Sequence, residues 1–112
     1  MENCVFCRII AGELPATFVH QDDQVVAFRD INPAAPTHVL IVPREHLPDL
    51  RHPAAARPAL LAAVFRAVQQ IADAEGVSAD GFRVVANTGA RAGQTVNHLH
   101  FHLLGGKDFD TL

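Results

Sequence analysis

The sequence predicts an α+β domain built on a five-stranded, mostly antiparallel sheet with one short and one long helix. β-rich runs follow one another in the front half of the chain with only a tight turn between them, which favours a hairpin. Strand-like and helix-like segments do not alternate strictly, as they do in a doubly wound parallel sheet. With 112 residues, 49% of them hydrophobic, the chain is expected to form one domain, residues 1–112, around a moderate core.

The first elements are expected to be a short helix and a hairpin. The segment CRIIAGELP predicts a short helix that ends at Gly12. The runs ATFVHQ and QVVAFRD are rich in β-branched and aromatic residues, and the pair Asp22-Asp23 between them is typical of a turn. These runs are therefore predicted to be the first two strands.

The middle of the chain predicts a third strand and the long helix. The run THVLIVP follows the proline-containing loop INPAAP and is β-rich throughout. From Pro53 to Glu75 apolar residues recur at helical spacing, and Gly76 is expected to end the helix. The stripe predicted to face the core is Leu61, Phe65, Val68 and Ala72.

Two further strands are predicted towards the C-terminus. The run GFRVVANTG is the fourth strand and VNHLHFHLL is the fifth. Between them, ARAGQT contains a glycine and is expected to be a loop. The chain shows no internal repeat and no low-complexity segment.

Composition and charge narrow the expected partners and compartment. A net charge of −3 gives no overall attraction for nucleic acid or for an anionic membrane. Glu2 stands where a secretory signal has its positive region, and the apolar runs are far shorter than a membrane span. Two cysteines cannot form a disulfide framework, so a cytoplasmic protein is expected.

The stretch HLHFHLLGG, residues 98–106, places three of the seven histidines at alternate positions. On a strand, His98, His100 and His102 share one face, and the apolar residues between them share the other. Such a cluster suits a metal site or nucleophilic and acid–base chemistry on a phosphate. Three alternate residues span about 13 Å, which phosphate chemistry tolerates better than a single metal ion does. The pattern by itself leaves both uses open.

Cys4 and Cys7 form a C-x-x-C pair near the N-terminus. A redox pair of this spacing is expected after a strand, inside a βαβ unit, and no strand is predicted before Cys4. A tetrahedral zinc site needs two further ligands.

The sequence around the histidines resembles a known family. The motif His-φ-His-φ-His-φ-φ, where φ is apolar, lies behind NTGARAGQTVN and downstream of FRDINPAAPTHVLIVPREH. These stretches closely resemble the histidine triad (HIT) family, within it the Hint-like nucleoside phosphoramidases of the zinc-containing bacterial type. The resemblance extends from CVFCRIIAGELP to HLLGG. It implies an α+β fold and a homodimer, formed through the long helix and a strand, whose two sheets join into ten strands.

The resemblance assigns catalytic roles to individual histidines. His100 corresponds to the nucleophile that becomes transiently nucleotidylated, and His102 to the residue that binds phosphate oxygens. His38 corresponds to a fourth active-site histidine on a neighbouring strand. Other positions expected to contact the phosphate, the departing amine or the ribose-phosphate edge are Thr95, Gly93, Gln94 and Asn87.

The nucleoside is expected to bind to residues from the first half of the chain. Asp30 matches the carboxylate that accepts the ribose hydroxyls, a task that suits an ionised acceptor. The apolar positions that match a purine sandwich are Phe6, Ile9, Leu14, Phe28 and Ile31. Core packing is the alternative for these five residues, and capping of the following turn is the alternative for Asp30.

The resemblance also supplies His46 and His98 as zinc ligands beside Cys4 and Cys7. Four protein ligands with no open position imply a structural zinc rather than a catalytic one. His98 then belongs to the metal and only the other two histidines of the triplet face substrate. His20 and His52 match no role and are expected at the surface.

The function implied is hydrolysis of purine nucleoside 5′-phosphoramidates and aminoacyl-adenylates, with an AMP-like nucleotide as ligand. Two alternatives stay open. One is a dinucleoside polyphosphate hydrolase of the Fhit-like branch, which the run GQTV also fits, although LLGG favours the Hint side. The other is a zinc-stabilised nucleotide-binding or interaction module. Arg29 and the tail KDFDTL depart from the family pattern, which leaves the substrate preference open.

Overall fold

A computed structural model describes residues 3–112 and confirms the predicted α+β fold. Glu2, whose charge argued against a secretory signal, lies outside that range. The helices are α1 (Val5–Ile10) and α2 (Pro58–Ala74), and the strands are β1 (Phe18–Gln21), β2 (Val25–Arg29), β3 (Thr37–Pro43), β4 (Phe82–Val85) and β5 (Phe101–Gly105). The strands form one antiparallel sheet in the order β1-β2-β3-β5-β4. Within residues 3–112, no helix combines the length and apolarity needed to cross a membrane.

The predicted hairpin between β1 and β2 is confirmed, and the side chain of Asp22 holds its turn. The carboxylate of Asp22 accepts hydrogen bonds from the backbone N–H groups of Gln24 and Val25, both at 2.8 Å. Such a local bond from Asp to the backbone two or three residues on is the reason Asp favours turns.

The sheet carries a hydrophobic core on each face. On one face α2 packs against residues of alternate strand positions, such as Val25, Ile41 and Leu103. On the other face α1 packs its Phe6 and Ile9 against a second buried cluster that contains Val26, Phe28, Leu40 and Val42. Alternation along β2 and β3 therefore supplies both cores, as the period of two in a strand requires.

The buried stripe predicted for α2 is wrong in two of its four members. Phe65 is 55% exposed and Leu61 is half-buried, whereas Val68 and Ala72 are buried as expected. The buried face is Leu60, Ala63, Val64, Ala67, Val68, Ile71 and Ala72. This face is rotated relative to the predicted one because small alanines let the helix approach the branched side chains of the sheet closely. The helix ends as predicted, with Gly76 in a left-handed conformation at φ +73° after the cap residue Glu75.

The fifth strand begins later than predicted, at Phe101 rather than at Val96. His98 and His100 therefore lie in the connection that leads into β5. In that connection the N–H of Leu99 bonds to the carbonyl of Leu47 at 2.7 Å instead of joining the sheet. Leu99, Phe101 and Leu103 still enter the core beneath α2, so the alternation of faces holds across the strand boundary.

Gly105, at the end of β5, lies where a side chain would collide with Val77. A Cβ atom at Gly105 would stand 2.8 Å from Cγ1 and 2.9 Å from Cβ of Val77. We expect Gly105→Ala to lower the free energy of unfolding by about 1–3 kcal/mol, the usual cost of overpacking. Urea denaturation measures this cost. In a Val77→Gly background the same substitution should be much less costly, because Cβ and both methyl groups of Val77 are gone. An equal loss of unfolding free energy in both backgrounds would show that the contact with Val77 is not what excludes a side chain at position 105.

Candidate functional site

A cleft of about 410 Å³ opens between α1 and the sheet face on which α1 packs. Its apolar end lies between α1 and β2, and its polar end lies at the start of β5. The predicted residues that line it are Phe6, Ile9, Leu14, Phe28, Asp30, Ile31, Thr95, His100 and His102. The cleft thus brings together the residues expected for the nucleoside and three of those expected for the phosphate, Thr95, His100 and His102.

The apolar end of the cleft is partly core and partly open surface. Phe6 and Phe28 are buried and meet edge to face, with ring centroids 5.5 Å apart. Ile31, by contrast, is 89% exposed, so core packing does not account for it. A large exposed aliphatic side chain on the rim of an apolar cleft is suited to cover one face of a flat ligand.

His100 is buried at the polar end of the cleft, and the backbone fixes which of its nitrogens is free. Its Nδ1 lies 2.7 Å from the carbonyl oxygen of His98. A carbonyl oxygen can only accept, so Nδ1 carries the proton in the neutral ring and Nε2 keeps its lone pair. The ring packs edge to face against Phe6 at 5.1 Å between centroids, which holds its orientation. In its neutral form His100 therefore offers Nε2 as a nucleophile.

His102 presents an N–H to the cleft where His100 presents a lone pair. The loop before β3 determines this difference. The backbone N–H of Ala34 donates to Nδ1 of His38 at 3.0 Å, so the proton of neutral His38 is on Nε2. That Nε2 lies 2.9 Å from Nδ1 of His102 and donates to it. The remaining nitrogen of His102, Nε2, must then carry the proton. His102 lines the cleft as a hydrogen-bond donor.

Burial keeps both members of this histidine pair neutral. It lowers the pKa of His102 to about 4, and positive charge on His100 or His38 lowers that pKa further, whereas Asp30 opposes the shift. Burial also lowers the pKa of His38, again against the effect of Asp30. An Oδ2 of Asp30 lies 3.4 Å from Nε2 of His38. Near pH 7 both rings are thus uncharged, as the direction of their hydrogen bond requires.

The loop that carries Thr95 is held by the side chain of Gln94. Its Oε1 accepts from the N–H of Gly89 at 2.8 Å, and its Nε2 donates to the carbonyls of Pro48 and Val96 at 2.8 and 3.0 Å. The backbone N–H groups of Gly93 and Gln94 donate to carbonyls within the same loop. These two residues and Asn87 lie outside the lining of the cleft, while Thr95 is on its rim.

Cys4, Cys7, His46 and His98 form a second cluster, with one ligand atom from each within 4.8 Å of the others. Cys4 caps α1, accepting the N–H of Cys7 at 3.3 Å, so the helix start places both thiols together. Nδ1 of His98 lies 3.3 and 3.5 Å from the two sulfurs, and Nδ1 of His46 lies 3.3 Å from that of Cys7. In a tetrahedral zinc site nitrogen and sulfur ligands are roughly 3.6 Å apart, so the cluster has the dimensions to hold zinc.

The protonation of His98 also fits a metal ligand. Its Nε2 lies 2.8 Å from the carbonyl oxygen of Pro43 and so carries the proton, which leaves the lone pair on Nδ1 directed at the thiols. Burial raises the pKa of Cys7 to about 11, and the hydrogen bond and charge of Cys4 add to this. Without a cation the Cys7 thiol therefore stays protonated, and a metal ion would displace its proton on binding.

The remaining polar residues singled out from the sequence have structural contacts. His20 is half-buried and bonds Asp22 at 2.8 Å, and His52 is exposed and accepts the N–H of Ala54 at 3.1 Å. Arg29 borders the cleft, but its guanidinium pairs with both carboxylate oxygens of Glu75 at 2.6 and 2.9 Å. That hydrogen bond lowers the pKa of Glu75.

Some contributors to the site gave no signal in the sequence. Val5, Leu40 and Val96 line the cleft but are indistinguishable in the sequence from core residues. The N–H of Ala34 acts through the backbone, which no side-chain pattern reveals. Gln94 was expected to contact the phosphate; that its side chain holds the loop instead had one clue in the sequence, its place directly after Gly93 in a glycine-containing loop.

The sequence matches a known protein family and several of its members. The model of the HIT domain family matches residues 11–109. The chain is 47% identical over 105 residues to Protein HitA of Neisseria gonorrhoeae, covering 94% of this chain and 97% of that protein. It is 43% identical over 106 residues to the purine nucleoside phosphoramidase of Escherichia coli K12, covering 95% and 89%.

Solved structures agree with these sequence matches. A HIT family hydrolase from Clostridium thermocellum superposes with a TM-score of 0.95 at 46% identity, covering 100% of this chain and 97% of that one. A zinc-bound histidine triad family protein from Mycobacterium smegmatis superposes with a TM-score of 0.82 at 32% identity, covering 99% and 80%.

Proposed function

The chain belongs to the HIT domain family, and on that premise we propose that it is a hydrolase that cleaves purine nucleoside 5′-phosphoramidates through a nucleotide held covalently on His100. The relative from Escherichia coli is named for this activity, and the structure from Clostridium thermocellum is described as a hydrolase. The observation that carries the proposal is the opposite polarity of two imidazoles in one cleft. His100 offers a lone pair and His102 offers an N–H.

The cleft suggests how the substrate lies. The purine occupies the apolar end, between the side of Phe28 and the exposed Ile31. Asp30 accepts the ribose hydroxyls with its carboxylate, one oxygen of which already accepts the N–H of Asn32 at 2.8 Å. The phosphorus then lies at the polar end beside His100 and His102.

In the first step Nε2 of His100 attacks phosphorus, an N–P bond forms, and the P–N bond to the leaving amine breaks. The amine takes up one proton from solvent as it leaves, and Thr95, on the rim, is suited to donate a hydrogen bond to the departing nitrogen. The N–H of His102 bonds a phosphoryl oxygen as charge develops there. The hydrogen bond from Nδ1 of His100 to the carbonyl of His98 stabilises the positive charge that the ring acquires.

In the second step water attacks the same phosphorus and releases His100. A P–O bond forms, the N–P bond breaks, and one proton is released, which balances the proton taken up by the amine. The ring of His100 returns to its neutral form with the proton on Nδ1. The products are the nucleoside monophosphate and the free amine.

We expect His100→Ala to reduce hydrolysis of adenosine 5′-phosphoramidate by ~10⁴-fold or more, because the attacking atom is lost. Calorimetry should show that the variant still binds AMP. Rapid quenching and mass spectrometry should find an AMP adduct on the wild type and none on the variant. The matched control is His20→Ala, which removes a histidine from β1 and should keep full activity.

Full turnover by His100→Ala would rule out the covalent mechanism. The same assay separates the alternative functions. Faster cleavage of a diadenosine polyphosphate than of the phosphoramidate would favour a polyphosphate hydrolase. Tight AMP binding with negligible turnover of either substrate would favour a binding module.

We also propose that the cluster of Cys4, Cys7, His46 and His98 holds a structural zinc. Its support is the spacing of the four ligand atoms and the free lone pair on Nδ1 of His98. Zinc is also bound in the similar structure from Mycobacterium smegmatis. All four positions are protein ligands, so the ion would join α1 to the connections after β3 and before β5, without entering the reaction.

Elemental analysis tests this assignment. Protein purified without chelators should contain about one zinc ion per chain, since the four ligands form one tetrahedral site. Cys7→Ser should weaken zinc binding by at least about 100-fold, the upper range for loss of an outer-shell partner. His52→Ala removes an exposed histidine and should leave the zinc content unchanged. Wild-type protein that contains no zinc, or equal loss in both variants, would contradict the assignment.

We infer that the protein is a homodimer that joins two such sheets into one of ten strands. β4 is at an edge of the sheet, so its outer side is free to pair with a second copy. Phe65 on α2 is 55% exposed and Phe82 on β4 is 39% exposed. Two large apolar side chains on the long helix and the edge strand support an interface that uses both elements.

A further inference from the structure

The carboxylate of Glu75 joins three elements on the face of the sheet that packs against α2. Glu75 caps the C-terminus of α2, and its N–H bonds to the carbonyl of Ile71 at 2.8 Å. Its side chain, 18% exposed, accepts two hydrogen bonds from the guanidinium of Arg29 at 2.6 and 2.9 Å. The hydroxyl of Thr37 donates to the same carboxylate at 3.5 Å. Glu75 therefore connects the end of α2 to the last residue of β2 and the first residue of β3.

The residue that follows each of these two partners lies on the other face of the sheet, where the cleft is. The side chains of Arg29 and Thr37 are on the α2 side, so alternation directs the next side chains to the cleft side. These are Asp30 and His38. The N–H of Asp30 donates to the carbonyl of His38 at 3.0 Å, and its Oδ2 lies 3.4 Å from Nε2 of that histidine. The two contacts thus lie back to back at the ends of β2 and β3.

Asp30 lies at the point where the chain leaves the sheet. Residues 31–34 are exposed, and Oδ1 of Asp30 accepts the N–H of Asn32 at 2.8 Å, a bond within that loop. Such a bond moves with the loop and does not tie the loop to the sheet. A bidentate guanidinium–carboxylate pair, by contrast, fixes orientation as well as distance. The pair with Glu75 therefore fixes Arg29, the residue from which the loop and the carboxylate of Asp30 extend.

The charge of Glu75 is maintained near neutral pH. The hydrogen bond from Arg29 lowers the pKa of this carboxyl group, although burial opposes the shift. Both partners are therefore ionised under the conditions of an enzyme assay, and the contact is present throughout.

We propose that Glu75 is a positioning residue for recognition of the ribose: its hold on Arg29 keeps Asp30 where that carboxylate accepts the ribose hydroxyls. The inference rests on the proposed function, in which Asp30 binds the ribose. Glu75 is not one of the described residues that line the cleft, so it acts through Arg29 and Asp30. A contact on the far face of the sheet thus determines how strongly the site prefers a ribonucleoside to a 2′-deoxyribonucleoside.

The experiment compares adenosine 5′-phosphoramidate with its 2′-deoxy analogue, and the measured quantity is the ratio of their kcat/KM values. The 2′-deoxy compound lacks one of the hydroxyls that donate to Asp30, so the ratio reports how well this carboxylate is placed. Glu75→Gln removes the negative charge with little change in shape, and Arg29→Met removes the guanidinium. The double variant tests whether both act through one contact. The matched control is Val68→Ala, which removes buried volume from the same helix, about two turns before Glu75, and leaves the contact in place.

We expect the wild type and Val68→Ala to prefer the ribonucleoside by about 10-fold or more, the value of one hydrogen bond to a charged group. In Glu75→Gln and in Arg29→Met that preference should fall by about 3- to 10-fold, the effect of one weakened hydrogen bond. The double variant should show no further fall, since both substitutions remove the same contact. Urea denaturation shows whether each variant is folded under the assay conditions. Because the contact can be removed from either side, the test does not depend on the folding of one variant.

A ribose preference that stays at the wild-type value in Glu75→Gln and Arg29→Met would overturn the positioning role and leave the proposed function intact. An equal fall in Val68→Ala would also rule it out, because weaker packing of α2 would then account for the effect. Equal hydrolysis of the two compounds by the wild type would refute the ribose role of Asp30, and with it that of Glu75, but not the nucleophilic role of His100. A wild type that hydrolyses neither compound would contradict the proposed function itself.

Discussion

The site depends on the direction of a few hydrogen bonds between the backbone and imidazole rings. A neutral imidazole carries one proton, so fixing the role of one nitrogen fixes the role of the other. The carbonyl of Pro43 accepts from His98, the carbonyl of His98 accepts from His100, and the N–H of Ala34 donates to His38. Three histidines that look equivalent in the sequence are thereby given different chemistry.

These protonation states determine what each ring offers to the cleft or to the thiols. His98 presents a lone pair to the thiols, and His100 presents one to the polar end of the cleft. His102, which receives a proton donor from His38, presents an N–H. Burial keeps the pKa of His102 near 4, so at neutral pH the pattern is not disturbed by a second proton. In the proposed mechanism, attack and charge stabilisation fall to these two neighbouring rings, whose centroids are 5.0 Å apart.

The fold makes this possible because β5 begins only at Phe101. If β5 began at Val96, the carbonyl of His98 would be expected to pair with a neighbouring strand. Because the ladder starts at Phe101, that carbonyl is free to accept from His100. The bond from Leu99 to Leu47 fixes the connection instead, and a zinc ion on His98 and His46 would fix it further. The partly exposed Arg29–Glu75 contact holds the other side of the site by joining the end of β2 to the end of α2.

Much of the fold could be predicted, because alternation in β2 and β3 and the turn at Asp22 are local signals. The face of α2 could not, since Phe65 and Leu61 are as apolar as the residues that are buried. For the site, the resemblance supplied the residue set, and the structure brings His38, His100, His102 and Asp30 together. The roles of Gln94 and of the Ala34 N–H depend on contacts within loops and between distant segments, and side-chain types do not encode those contacts.

Nitrogen NMR of ¹⁵N-labelled protein at neutral pH directly measures which nitrogen of each histidine carries the proton. Signals are assigned by substituting one histidine at a time. We expect neutral His100 to be protonated on Nδ1, and neutral His38 and His102 to be protonated on Nε2. A spectrum in which His100 is protonated on Nε2, or His102 on Nδ1, would contradict this pattern, because His100 could not then attack or His102 could not donate.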